Sequence, residues 1–264
     1  MTTRPPTVDQ PITRAIILAA GRGTRLAGHM GDFPKGFLTL GELPIVEESI
    51  DRLASAGIRD VLIVTGHCAG YYEDLARRRA GRVRTVHNPR FAESGSMYSL
   101  YCALGSGAGA FLLLESDLVY EPRALIHLLE HPAADAILLS GPTHAGDEVY
   151  VECREENLKD MSKDRGALGP DVAGELVGIS KISAALYDRM CGIAERAFAT
   201  SLKFDYETDC LVAAGREHPI ACPVIADLVW GEIDDPGHLA RARDKIYPEV
   251  RRRTTAPASG PAGL

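Results

Sequence analysis

The sequence predicts a doubly wound α/β domain, built on a mostly parallel sheet with a small antiparallel excursion. Three observations carry that prediction. Short apolar or β-branched runs recur at 15–18, 61–64, 83–86 (Val-Arg-Thr-Val), 111–114 and 136–139, and stretches with helical spacing separate them, which is the βαβ alternation of a parallel sheet. The first run leads directly into Gly21-Arg22-Gly23, and open parallel sheets bind ligands in the loops at the carboxyl ends of their strands. The 264 residues are enough for one such core.

The elements follow in order. Ile16 and Ile17 sit inside an unbroken apolar run, which suits a strand buried on both faces. Residues 46–56 read as a helix: Ile45, Ile50, Leu53 and Ala54 share one helical face, and Gly57 supplies the stop before the second strand. Residues 71–79 repeat the pattern before the third run, and right-handed crossovers stack such units into one sheet. Past Ser140 the alternation falters. Residues 149–153 and 175–179 read as antiparallel strands around a charged loop at 154–171, so 141–182 is expected to be a lid or acceptor-side excursion. Helical spacing returns over 184–198 and 206–214. The expected organisation is one domain, 13–248, between disordered tails at 1–12 and 249–264, whose Pro, Gly, Ser and Arg content leaves little to bury.

A formal net charge of −7 argues against a general nucleic-acid or membrane-surface binder, because both partners call for a net basic face. No run approaches the ~18 apolar residues of a membrane helix, and the start lacks the charged-then-apolar pattern of a signal peptide, so a cytoplasmic protein is expected. The six cysteines, at 68, 102, 153, 191, 210 and 222, form no C-x-x-C pair and no cluster with histidine, and read as reduced core residues. His29 and His87 lack metal-ligand spacing and read as structural or surface groups. No G-x-S-x-G elbow surrounds Ser96 or Ser116, against an α/β-hydrolase.

Chemistry is expected after the strands. Leu26 stands where a G-x-G-x-x-G dinucleotide loop would place its third glycine, and the G-x-x-x-x-G-K-[ST] of ATPases is missing. What remains is Leu18-Ala19-Ala20-Gly21-Arg22-Gly23-Thr24-Arg25, with Pro34-Lys35-Gly36 further on. Asp117 of Glu115-Ser116-Asp117 would face that loop and hold a hard divalent cation; alone, it fits equally well as a cap for the helix after Pro122. A second acidic cluster, Trp230-Gly231-Glu232-Ile233-Asp234-Asp235-Pro236, reads as a short strand entering a helix that starts at Pro236 and is capped by Asp235. That frees Asp234, and after it Glu232, to face the metal.

Together with Gly95-Ser96-Met97-Tyr98-Ser99-Leu100 after Asn88-Pro89, these segments resemble the phosphocholine and 2-aminoethylphosphonate cytidylyltransferases of the nucleotidyltransferase family, from Arg14 to about Tyr247. The resemblance implies a Rossmann-like nucleotidyltransferase fold. It implies Mg²⁺-dependent transfer of CMP from CTP to a small phosphonate or phosphate of the 2-aminoethylphosphonate, 2-hydroxyethylphosphonate or phosphocholine type, with release of pyrophosphate. Mg²⁺ would sit at Asp117 and Asp234. The triphosphate would lie over Leu18, Ala19, Ala20, Gly21, Gly23 and Thr24, with Glu115 beside it, and the cytosine and ribose at Gly95 and Ser96. Arg25 and Lys35 are then the cations that bring two anions together for in-line attack, with no covalent intermediate.

For the acceptor, Tyr206 and Trp230 with Glu207, Asp209 or Glu232 offer the aromatic and acidic groups that bind an ammonium; an amphipathic helix with solvated acids fits the same residues. Lys159 and Lys163 would complete the clamp, or stand as solvated loop lysines. A sugar-1-phosphate nucleotidyltransferase shares the opening loop. A nucleotide-sugar-dependent glycosyltransferase would use Glu115-Ser116-Asp117 for its metal, and a silent nucleotide-binding module is a third class. A homodimer is neither required nor excluded.

Overall fold

The computed structural model describes residues 11–26 and 33–255. Alternate residues of β1 (Arg14–Ala19) face opposite layers: Ala15, Ile17 and Ala19 pack into one apolar cluster, Ile16 and Leu18 into another. With both faces covered, no polar position interrupts the run.

On one side of β1, β2 (Asp60–Thr65) and β3 (Val83–His87) continue the sheet in parallel; on the other, β4 (Phe111–Glu115) pairs with it in parallel. The fifth apolar run forms β6 (Ala136–Ser140), which does not pair with β4. Between them lies β9 (Val172–Ile182), antiparallel to both, and β10 (Val224–Ile225) closes the far edge in parallel with β6. The order is β10-β6-β9-β4-β1-β2-β3. β7 (Tyr150–Arg154) and β8 (Asn157–Ser162) form a hairpin on β9.

The expected excursion at 141–182 is therefore corrected. Its last strand is central, buried from Glu175 to Ile182, and pairs the backbone of β4 and β6, which would otherwise have unsatisfied edges inside the core. Only the hairpin branches off, and its second strand occupies part of what reads in sequence as a charged loop.

Helices at Ile45–Ser55, Ala69–Arg78 and Arg123–Glu130 cover one face through Val46, Ile50, Leu53, Leu75 and Leu125. The other face is covered by Ser96–Tyr101, Ala184–Phe198 and the wide π turn Tyr206–Leu211, through Met97, Leu186, Met190 and Tyr206. A third cluster gathers the end of the chain, where the helices Pro236–Arg241 and Tyr247–Thr255 pack against Leu26, Leu38, Ile45 and Val119.

That last helix corrects the tail expected at 249–264. Tyr247 and Val250 are buried, the Tyr247 hydroxyl donates to Glu48 at 2.6 Å, and the Arg253 guanidinium donates to Glu121 at 3.1 Å. Residues 256–264, 1–10 and His29 lie outside the described residues; of the N-terminal tail, Ile12 packs against the core. Among the described residues no disulfide joins any of the six cysteines. Among the described residues no helix is long and apolar enough to cross a membrane.

Candidate active site

A two-stranded ribbon brings together two carboxylates that are far apart in the chain. β5 (Leu118–Tyr120) and β11 (Trp230–Glu232) pair antiparallel with Glu232 opposite Leu118, and the Ile233 N–H donates to the Asp117 carbonyl at 3.2 Å. This register sets Asp117, just before one strand, beside Asp234, just after the other. Asp235 caps the following helix, its carboxylate accepting from the His238 N–H at 2.8 Å with Pro236 in the first turn, as the sequence predicts. Asp117 caps no helix; Pro122 precedes the one at Arg123–Glu130.

The Lys35 ammonium lies between the two aspartates, 2.7 Å from Asp234 and in direct contact with Asp117, and Arg25 reaches Asp234 at 2.8 Å. Burial by itself would loosen the Lys35 proton, but Asp117, Asp234 and Glu232 outweigh it and hold the pKa well above the usual lysine value. Burial pushes Asp234 up; the Lys35 charge and hydrogen bond, with Arg25, pull it down further, to below the ordinary aspartate range. Carboxylate oxygens of Asp117, Glu232 and Asp234 lie within 4.8 Å of one another. An all-oxygen set of this kind fits a hard cation such as Mg²⁺.

On one side of these carboxylates, a cleft runs beneath the glycine-rich loop, lined by Leu18, Ala19, Ala20 and Gly21, by Lys35, and by Gly95 and Ser96. A Cβ on Gly21 would have nothing within 4 Å, so the backbone there is open to an anion. Gly23, at φ +57, lies over the Lys35 stem, where a Cβ would come within 3.2 Å of Cγ. Gly23 and Thr24 shape the loop without lining the cleft. Sequence reasoning misses Tyr72, Phe91 and Ser94, which also line it, as does Ser99 of the Gly95-to-Leu100 segment. The fully buried Asn88 amide donates to the Ser94 and Ser99 hydroxyls, at 3.0 Å each; the Asn-Pro after β3 is the sequence signal for Ser94.

On the other side, a second cleft is acidic. Glu115, Glu207 and Glu232 line it with Trp230, Lys163 and Arg241. Burial pushes the Glu115 carboxyl well above its ordinary range, and Glu207 and Asp117 add to the shift. Burial likewise raises Glu207, and burial with Asp117 and Asp234 raises Glu232. The Tyr206 hydroxyl donates to Glu207 at 2.9 Å and also meets Glu115, so this buried tyrosine ties the acids together rather than walling the cleft. The Trp230 Nε1–H donates to the Ser140 hydroxyl at 2.8 Å, which fixes its ring at the cleft.

Asp209 does not join the cleft: it accepts from the Asp205 N–H at 2.8 Å and is exposed. The wide turn over Tyr206–Leu211 sends Glu207 inward and Asp209 out. Lys159 pairs with Glu152 at 2.7 Å on the hairpin, which leaves Lys163 as the loop lysine at the cleft. Glu115 and Glu232 line both clefts, so the two meet at the aspartates.

Residues 15–200 match the MobA-like NTP transferase domain. The CMP-5'-(3-aminopropyl)phosphonate synthase of Streptomyces rubellomurinus is 32% identical over 254 residues, covering 92% of this chain and 40% of that protein, so the chain spans well under half the length of this relative. The 2-aminoethylphosphonate cytidylyltransferase of Lancefieldella rimae is 33% identical over 192 residues, 70% of this chain and 73% of that one. The structure of the inositol-1-phosphate CTP transferase from T. maritima superposes with a TM-score of 0.77 at 20% identity, over 95% of this chain and 99% of that one, and shares the fold. With the glycine-rich loop, Lys35 and Asp117 all inside the matched segment, the chain belongs to the MobA-like NTP transferase family of nucleotidyltransferases.

Proposed function

We propose that the protein transfers CMP from CTP to a small phosphonate or phosphate that carries a primary ammonium group, with Mg²⁺ at Asp117 and Asp234, releasing pyrophosphate. One observation carries this reading: a cleft under a bare-backbone loop and an acidic cleft open onto the same pair of buried carboxylates. The names of the two aminoalkylphosphonate relatives agree with it.

Bound Mg²⁺ would polarise the phosphoryl oxygens. Lys35 and Arg25 orient the α-phosphate and offset the repulsion between two anions, roughly 4 kcal/mol at a surface-like dielectric. An acceptor oxygen attacks the α-phosphorus in line, and the bond to pyrophosphate breaks as the new P–O bond forms. The attacking oxygen is already anionic, so no base is required. At the far end of the acceptor, a primary ammonium offers three N–H donors to Glu115, Glu207 and Glu232, with the Trp230 ring alongside. A trimethylammonium offers no donor to these acids, and a sugar offers no cation to balance them.

The test is pyrophosphate release from CTP and Mg²⁺ with 2-aminoethylphosphonate, 3-aminopropylphosphonate, 2-hydroxyethylphosphonate, phosphocholine and glucose 1-phosphate. Turnover is expected with an aminoalkylphosphonate, falling by about 10³ in Asp117→Ala. Turnover with the sugar phosphate alone would make the protein a sugar-1-phosphate nucleotidyltransferase, and none with CTP would end the proposal.

A further inference from the structure

The Gly95–Ser96 wall of the nucleotide cleft is held by a segment remote in sequence. The Gly95 N–H donates to the Leu202 carbonyl at 2.8 Å and the Met97 N–H to the Phe204 carbonyl at 3.1 Å. Between them, Asp205 accepts from both the Ser96 N–H and the Ser96 hydroxyl, at 3.1 Å each, while the same hydroxyl accepts from the Tyr206 N–H at 3.0 Å. The Asp205 side chain does not cap the turn that it precedes; Asp209 accepts from its N–H instead. It reaches across to the first residue of the helix Ser96–Tyr101. There is no slack in this contact: a Cβ on Gly95 would lie 2.6 and 2.7 Å from the Phe204 backbone.

Of the next two residues, Glu207 lines the other cleft and Tyr206 stands behind it. Tyr206 donates to Glu207 and meets Glu115, and both acids line the acceptor side. One short stretch, Asp205 to Glu207, therefore touches the nucleotide wall with its first residue and the acceptor wall with its last.

We infer that Asp205 is a positioning residue that couples the two clefts, so that acceptor held by Glu207 tightens nucleotide binding at Ser96. With Ser96 and the turn held together without slack, a shift of Glu207 on acceptor binding carries Ser96 with it, which couples the two sites. The inference rests on the transfer reading, because it takes the two clefts to be the nucleotide and acceptor sites.

The test measures the Kd of α,β-methylene-CTP, which cannot release pyrophosphate, by calorimetry in Mg²⁺ with and without 2-aminoethylphosphonate. In the native protein the acceptor is expected to tighten binding about tenfold, within the usual span of coupling between sites. In Asp205→Ala that ratio falls below about twofold, while the acceptor-free Kd moves less than about threefold. Ser96→Ala lowers the ratio likewise, and the double variant lowers it no further, since both remove one link. Asp205→Asn keeps an oxygen for Ser96 and retains part of the ratio; it and Ser96→Ala decide the matter if Asp205→Ala folds poorly.

A purely structural Asp205 would weaken both affinities and leave the ratio unchanged, which overturns the inference. So does a ratio of one in the native protein if 2-aminoethylphosphonate is nevertheless turned over with CTP. Absence of pyrophosphate release with every acceptor overturns the transfer reading, and the coupling with it.

Discussion

Lys35 is the residue on which the site's electrostatics turn. Its ammonium neutralises Asp117 and Asp234 together, and both are buried. Taking away one partner of a buried pair leaves an uncompensated charge, at about 3–5 kcal/mol. Lys35→Met should therefore lower the melting temperature of the metal-free protein, and added Mg²⁺ should restore it by more than it raises that of the native protein; equal shifts would argue against a cation site here. Because Lys35 is raised above its unfolded pKa, its contribution is fully present below that value and is lost only at far higher pH. Its own stability term is thus flat across the neutral range. Lys35 was legible as a cation beside a glycine-rich loop, and Asp117 and Asp234 as carboxylates at strand ends. The split between Glu207 and Asp209 was not. Three acids alternate at 205, 207 and 209, and a turn wider than an α-helix decides which of them faces inward.

At the scale of elements, the β5–β11 ribbon and the helix behind it fix the pair of aspartates. Asp235→Ala removes the cap of Pro236–Arg241 and should cost about 1 kcal/mol in urea denaturation; it should also weaken Mg²⁺ binding, because Asp234 is the adjacent residue. Unchanged Mg²⁺ affinity would show that the ribbon alone holds Asp234. The strands β1, β2, β4 and β6 were legible because burial on both faces leaves unbroken apolar runs. The position of β9 was not, since nothing local tells a strand that it will be inserted between two others. β8, Asn-Leu-Lys-Asp-Met-Ser, buries little beyond Leu158 and Met161, and its polar residues read as loop. The last helix carries Pro248 and three arginines, and is held by Tyr247, Val250 and the ion pairs of Arg253 with Glu121 and Asp227, which arise only from tertiary packing.

For the whole molecule, the acidic cleft sets how stability varies with pH. Glu115, Glu207 and Glu232 hold their protons more tightly folded than unfolded, so above the ordinary carboxylate range the native state binds more protons and stability falls as pH rises. Asp234, held below its unfolded pKa, acts the other way and loses its contribution as pH falls. Melting curves at pH 5.5 and 8 should show a drop that Glu207→Gln makes smaller, with the variant the more stable protein at pH 8 and the poorer enzyme; an unchanged drop would remove this carboxyl as a cause. The glycine-rich loop, Lys35 and Asp117 all lie in the first half of the chain, while Glu207, Trp230, Glu232 and Asp234 arrive after residue 200, where the family match stops. A fragment ending there would keep the glycine-rich loop, Lys35 and Asp117 but lose Glu232 and Asp234. Chimaeras that exchange only the segment from Glu207 to Asp235 should trade acceptors while keeping their nucleotide, because Glu207 and Trp230 line only the acidic cleft.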